Sequence, residues 1–161
     1  MDIAHCGKAL LAGIGSPFGE DRLGWQAVEL LQAQQWPARH PRWEWQLTSL
    51  DRPGATLLDR LQGVELAVLL DALQTTGDTP RLLTLDELAS EAAPLSGHDL
   101  GLAATLQLGE RLSMLPPQLL LIGLPMGMVL TAPTLMDCLD RWLMVSAQSQ
   151  SVQDCTRPEI P

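Results

Sequence analysis

Three residues of the chain combine a side chain suited to a divalent metal ion with a position that could bring them together: Asp21, Asp71 and His98. Asp21 follows the first apolar run, Asp71 ends the buried run "ELAVLLDAL", and His98 lies in a loop before a later helical pattern. Because ligands bind beyond the carboxyl ends of the strands in an open parallel sheet, these groups can face one crevice if the first and third strands are neighbours. Two carboxylates neutralise the charge of a metal ion, and neutral imidazole suits zinc, copper, iron or nickel. Three protein ligands leave coordination positions open for water or substrate.

Each of these residues also has a structural alternative. Asp21 can cap the following helix, a position where aspartate is strongly preferred. Asp71 can form a turn by bonding to backbone amides. His98 can be a loop histidine in front of a helix that Asp99 caps. The residue spacing alone leaves both the metal site and these structural roles open.

The turn that contains Asp21, "GIGSPFGEDRLG", resembles a phosphate-binding loop only in part. The dinucleotide fingerprint requires a third glycine where Phe18 stands, and an acid about 20 residues further on, whereas Asp51 is much more distant. A P-loop is excluded because no Gly-Lys-Ser/Thr follows. A helix N-terminus attracts anions, but Glu20 and Asp21 already place two negative charges there. The turn therefore suits a cation or a helix cap better than a phosphate.

The chain lacks the usual motifs of nucleophilic and zinc hydrolases. It contains no HExxH, no CxxC pair and no GxSxG. Ser16 and Ser96 are close in sequence to the proposed crevice, but neither has the context of an activated nucleophile. A hydrolase built on this chain must work without a Ser or Cys triad.

The elements that position these residues follow from apolar runs that alternate with helical patterns. This alternation is typical of an α/β protein, and we expect a three-layer α-β-α sandwich with a twisted, mostly parallel sheet of about five strands. We expect a single domain over residues 1–147 and a flexible tail over 148–161. In the helix expected over about 100–114, the apolar set is Leu102, Leu106, Leu108 and Leu112. The expected strands are 9–14, 42–50, 65–73, 80–85 and 117–124, and the expected helices are 23–35, 56–63, 85–92, 100–114 and 131–148.

Composition and charge limit the partners of the protein. The 161 residues carry a net charge of −9 with a pI near 4.6, which argues against nucleic acid or an anionic membrane as the main partner. No apolar run reaches the length of a membrane span, so we expect no membrane insertion. The N-terminus has no pattern of a signal peptide, and three scattered cysteines fit a reducing compartment. A cytoplasmic location is expected.

Taken together, the motifs resemble those of the hydrogenase maturation endopeptidases. The opening motif of that family reads approximately G-I-G-N-P-L-x-G-D-D-G-x-G, and "GIGSPFGEDRLG" matches it with one residue fewer, with Ser16 for asparagine and Arg22 for glycine. An aspartate followed by alanine after a buried strand matches "LLDAL". A serine-histidine element that opens a leucine-rich helix, and then a strand that ends in Gly-x-x-Pro, match "LSGHDLGLAATLQLGERL" and "LLLIGLP". The resemblance covers residues 8–145.

The resemblance implies a specific reaction. Members remove the C-terminal extension of a [NiFe]-hydrogenase large-subunit precursor, cutting just after a basic residue. It implies that Asp21, Asp71 and His98 are both the metal ligands and the catalytic residues of an aspartyl-type or metal-assisted endopeptidase. The nickel is supplied by the precursor and acts as the recognition element. Arg22 then either pairs with Glu20 or Asp21 or contacts the substrate.

Two other functions stay open at this point. The same fold can serve as a non-enzymatic assembly chaperone or scaffold for the hydrogenase large subunit. A nucleotide-binding α/β protein is the third possibility, and the acidic turn and the missing third glycine weigh against it.

Overall fold

The computed structural model describes residues 7–15, 22–51, 54–91 and 101–154. It contains five strands and five α-helices in these ranges, and a short 3₁₀ helix, Trp36–Arg39, precedes the second strand. The strands are β1 (Gly7–Ile14), β2 (Trp43–Leu50), β3 (Leu66–Thr76), β4 (Arg81–Leu83) and β5 (Gln118–Met126). The helices are α1 (Leu23–Ala33), α2 (Ala55–Leu61), α3 (Leu85–Glu91), α4 (Leu102–Arg111) and α5 (Ala132–Asp154).

The strands form one sheet in the order β2-β1-β3-β5-β4. Four of them are parallel, and β4 pairs with β5 in the antiparallel direction. The central strands are buried on both faces, which is why they are continuous apolar runs. The edge strand β2 instead alternates, with Trp43, Trp45 and Leu47 packed against the core. A mostly parallel sheet of about five strands is thus confirmed.

Each face of the sheet is covered by helices. On one face α1 and α5 pack over one buried cluster, and on the other α2, α3 and α4 pack over a second cluster. We call these the α1/α5 face and the α2/α4 face. Successive residues of a strand point to opposite faces, and β3 accordingly contributes Val68 and Leu70 to the first cluster and Leu69 and Leu73 to the second. The three-layer arrangement predicted from the sequence is confirmed.

Two glycines bring α1 into close contact with the sheet. A Cβ atom on Gly24 would lie 2.7 Å from the carbonyl oxygen of Leu70 and still closer to that of Ile14, and a Cβ on Gly13 would collide with the backbone of Gly24. Neither position has room for a side chain, because the obstructing atoms belong to the backbone. The first turn of α1 therefore lies directly against the carboxyl end of the region in which β1 and β3 pair.

The segment between α1 and β2 is held to α5 by a polar cluster around Asp140. Its Oδ1 accepts a hydrogen bond from the buried indole N–H of Trp36 at 2.9 Å and lies 2.7 Å from Nε2 of His40. The guanidinium of Arg39 pairs with the other carboxylate oxygen. The ring of Trp36 also contacts those of His40 and Trp45.

The structure corrects the apolar set predicted for α4. Leu102 and Leu106 are buried, but Leu108 is 42% and Leu112 56% exposed. Residues two apart on a helix lie on nearly opposite sides, so Leu106 and Leu108 face different ways and the four leucines do not form one stripe. The buried side of α4 is completed by small or polar residues: Ala103, Thr105 and Gly109.

At the C-terminus, α5 extends to Asp154 and so enters the 148–161 segment; the flexibility expected for that segment stays a prediction. Within the described part of the chain, no helix is long and apolar enough to cross a membrane.

Candidate functional site

The order of the strands creates a crevice between β1 and β3. From β1 the chain passes to β2 through α1, which lies on the α1/α5 face. From β2 it passes to β3 through α2, which lies on the opposite face, and β3 is on the other side of β1. The helices thus diverge to opposite faces where strand order reverses. In open α/β sheets this is the point at which ligands bind, beyond the carboxyl ends of the two strands. The condition that the first and third strands be neighbours is met.

Asp71 lies at the mouth of this crevice. The last residue pair between β1 and β3 is Gly13 with Leu70, so Asp71 is the first residue of β3 beyond the end of that pairing. It is partly buried and still pairs with Gly123 of β5. Asp71 ends the fully buried part of β3 but not the strand, which continues to Thr76. Its neighbours on the same face, Leu69 and Leu73, belong to the buried cluster of the α2/α4 face.

The other two predicted ligands, Asp21 and His98, lie outside the described residues, as do Ser16, Glu20, Ser96 and Asp99. Among the described residues no group of three or more His, Cys, Asp or Glu side chains could hold a metal ion. Of the predicted triad, only Asp71 is within that part of the chain. The ligand set therefore stays a prediction. The described residues that flank the segments of Asp21 and His98 show which edge of the sheet each segment joins.

The segment that contains Asp21 leaves and re-enters the described fold at this crevice. Its ends are tied to one acceptor, since the carbonyl oxygen of Leu50 accepts hydrogen bonds from the amide of Gly15 and the indole N–H of Trp25, both at 3.1 Å. Gly24, the residue before Trp25, lies against the carbonyl oxygen of Leu70. Leu70 is the residue before Asp71 in β3. The residues after the segment are thus anchored next to Leu70, which precedes Asp71, and the residue before it is anchored at the end of β2.

Arg22 is the residue that flanks α1. It is exposed, its backbone is already helical, and its side chain makes no capping bond. No ion pair links it to another described residue. Asp21 itself lies outside the described residues, so its two roles, helix cap and metal ligand, both stay predictions. The pairing of Arg22 with Glu20 or Asp21 stays a prediction.

The segment that contains His98 ends where α4 begins, at the same edge of the sheet. The far end of α4 adjoins the amino ends of the strands: Met114, just after the helix, accepts a bond from Gln62, and Gln118 of β5 bonds to Glu65. A straight helix of ten residues spans about 15 Å, so its first residue, Leu102, lies towards the carboxyl edge. His98 precedes it by four positions.

Sequence reasoning missed two residues near this edge. One is Trp25, whose bond to Leu50 could not be read from the sequence because it joins α1 to a separate strand. The other is Thr105 of α4, which is 1% exposed and whose hydroxyl has no hydrogen-bond partner among the described residues. An unbonded buried hydroxyl costs about 1–3 kcal/mol. The signal for Thr105 was available: it is a polar residue on the side of the helix that carries Leu102 and Leu106.

The fold is shared with known proteins although the sequence is far from theirs. No family model matches the chain, and no curated protein matches it. Among solved structures, the hydrogenase maturating endopeptidase HybD from E. coli is similar with a TM-score of 0.56 and 18% identity, over 89% of this chain and 93% of HybD. A hydrogenase 3 maturation protease is similar with a TM-score of 0.57 and 15% identity, over 83% of this chain and 87% of that one. At these identities the likeness establishes the fold.

Proposed function

We propose that this protein is an endopeptidase of [NiFe]-hydrogenase maturation, which removes the C-terminal extension of the nickel-loaded large-subunit precursor. The observation that carries the proposal is the position of Asp71, at the switch point between β1 and β3. Both segments that contain the other two residues of the triad adjoin the described fold at this same edge. Two proteins with the same fold are named as hydrogenase maturation proteases.

In this proposal the nickel belongs to the substrate, and the protein supplies Asp21, Asp71 and His98 to it. The two carboxylates offset the charge of the divalent ion, and the neutral imidazole is a good ligand for nickel. A metal ion held in this way can polarise the neighbouring peptide carbonyl or activate a bound water. This chemistry explains how a protease can work without a Ser or Cys triad.

The charge of the protein supports a cationic substrate segment. With 19 acidic and 10 basic residues, the chain has a net charge of −9, which favours the approach of positive groups. The metal ion and the basic residue that we expect next to the cleaved bond are both positively charged. We place the protein in the cytoplasm, together with the unprocessed precursor.

The test is a cleavage assay on the nickel-loaded cognate precursor, followed by mass spectrometry. We expect the wild-type protein to shorten the precursor, and Asp71→Asn and His98→Ala to abolish shortening while they fold normally by circular dichroism. Asp59→Asn is the matched control, because Asp59 is an exposed aspartate on α2 outside the proposed triad. It should cleave at the wild-type rate.

Two results would contradict the proposal. One is unchanged cleavage by both Asp71→Asn and His98→Ala. The other is full cleavage of precursor from which the nickel has been removed. If the protein binds the precursor but never shortens it, the assay indicates an assembly chaperone or scaffold instead. A rise in melting temperature on addition of nucleotides would favour the nucleotide-binding alternative.

A further inference from the structure

Strand β3 continues past the end of its pairing with β1. The last pair between the two strands is Gly13 with Leu70, whereas β3 runs on to Thr76. On its other side, this part of β3 still pairs with β5. In the described part of the chain, no strand pairs with the β1 side of residues 72–76. We call residues 71–76 the β3 overhang.

The backbone of the β3 overhang directs hydrogen-bonding groups towards the crevice. A Cβ atom on Gly24 would lie 2.7 Å from the carbonyl oxygen of Leu70 and closer still to that of Ile14. The Leu70 carbonyl therefore faces β1. In a strand, the N–H and C=O of one residue point to the same side and those of the next residue to the other. Ala72, two positions after Leu70, thus presents its N–H and C=O on the β1 side.

The overhang is held in an extended form by its other neighbours. Residues 71–73 pair in unbroken register with residues 123–125 of β5, and the register shifts only before Thr76. Leu73 is buried in the cluster of the α2/α4 face, and Ala72 packs against the cluster of the α1/α5 face. The edge is therefore preformed, and a ligand does not have to order it on binding.

The chemistry of this edge fits an extended peptide with positive charge. A strand edge offers a row of main-chain donors and acceptors, which an added strand can match. The stretch "DALQTTGDTP", residues 71–80, contains two aspartates and no basic residue, so it favours a peptide with a basic side chain. A second copy of this chain is a poorer occupant. Antiparallel self-pairing would set Asp71 of each copy opposite Asp78 of the other, and like charges in opposite positions are destabilising.

We propose that the precursor segment around the cleaved bond binds to the β3 overhang in extended form, as an added strand in the crevice. The identity of this segment rests on the proposed function, but the contact itself involves no metal ion. Main-chain hydrogen bonds hold the peptide, and they bring its backbone beside Asp71, the first residue of the overhang. Residues 71–76 span about 20 Å, the length of about six residues of an added strand.

The experiment measures the binding of a synthetic peptide that spans the expected cleavage site of the cognate precursor. Its affinity for the full-length protein is followed by NMR titration in a buffer with a metal chelator. A series of peptides carries one N-methyl group each, which removes one main-chain donor at a time. We expect methylation to lower the affinity about tenfold at every second residue of the bound part, and by less than about threefold at the residues between them.

Two measurements on the protein test the same edge. Hydrogen exchange of the Ala72 amide should slow by about tenfold or more when the peptide is saturating, whereas the Leu73 amide, which points to β5, should change by less than about twofold. Ala72→Pro removes the donor on the crevice side but no bond to β5. It should weaken peptide binding about tenfold with an unchanged circular dichroism spectrum. The methylated peptides decide the matter on the wild-type protein if this variant does not fold.

The outcomes separate this inference from the proposed function. A peptide that does not bind, or whose methylation has no alternating effect, overturns the inference. An Ala72 amide that exchanges in the free protein as slowly as that of Val68, within the paired region, also overturns it, because the edge is then already covered. So does a dimer of the protein alone that the peptide dissociates, because a second copy then occupies the edge. Alternating binding without cleavage of the precursor refutes the proposed function and leaves the inference standing. Cleavage without alternating binding does the reverse.

Discussion

Replacing Gly24 by alanine tests whether the close contact between α1 and the sheet supports the site. The new Cβ would lie 2.7 Å from the Leu70 carbonyl oxygen, whereas ordinary van der Waals contact begins at 3.4 Å. It would be closer still to the carbonyl of Ile14. Because both obstacles are backbone atoms, α1 must move away by about 1 Å, a gap that forfeits up to about half of the dispersion energy of each contact it opens.

The size of the effect follows from two opposing contributions. Overpacking a core costs about 1–3 kcal/mol, and a rigid backbone obstacle favours the upper end. Alanine gains about 1 kcal/mol over glycine within a helix. We therefore expect a net loss of about 2 kcal/mol in the free energy of unfolding. For a domain of this size that corresponds to a melting temperature lower by about 4–8 °C.

Gly109→Ala is the matched control. Gly109 is also a buried helical glycine, but its Cβ would meet only side-chain ends, Leu58 Cδ2 at 2.7 Å and Leu115 Cδ2 at 2.9 Å. Flexible ends can shift, so the gain in helix propensity should offset most of the crowding and leave stability within about 1 kcal/mol of the wild type. Urea unfolding of both variants measures the difference. If Gly24→Ala is as stable as Gly109→Ala, the contact between α1 and the sheet is not as rigid as described.

Three further substitutions test other contacts by urea unfolding. Asp140→Ala leaves the buried indole N–H of Trp36 without an acceptor and should cost about 1–3 kcal/mol; an unchanged midpoint would show that the cluster contributes nothing. Ser113→Gly should stabilise the protein by about 1 kcal/mol. Ser113 has a φ of 55° at the end of α4, a conformation in which glycine is unstrained. A loss of stability would refute this reasoning. Thr84→Ala should lower the free energy of unfolding by about 1 kcal/mol, since Thr84 and Glu87 exchange two hydrogen bonds at the start of α3. An unchanged free energy of unfolding would mean that these bonds do not persist in solution.

The layer architecture could be predicted because burial on both faces leaves a direct mark on the sequence. A strand covered by helices on both sides must be apolar at every position, as β3 is from Leu66 to Leu70. The edge strand β2 has only one buried face, and its alternation of tryptophan with Glu44 and Gln46 reveals this. The place of Asp71 at the end of the buried run followed from the same pattern.

Other features could not be predicted, because the sequence pattern carries no information on them. Neither periodicity nor composition shows which strands are neighbours, so the pairing of β1 with β3 was only a condition. The bond between Trp36 and Asp140 joins residues 104 positions apart. In α4, the four leucines suggested one apolar stripe, but Leu108 and Leu112 point away from the core. Thr105 lies on the buried side, where a search for apolar residues passes over it.

The single carbonyl of Leu50, which holds Gly15 on one side and Trp25 on the other, gives the intervening residues fixed points of attachment. The distance between these points is set by the sheet and by the glycine contact, not by the number of residues that join them. We expect the described scaffold to keep its shape when the number of residues between Gly15 and Arg22 changes. A motif one residue shorter than the family pattern is compatible with an intact fold. Asp71, by contrast, is held within the sheet by its pairing with Gly123.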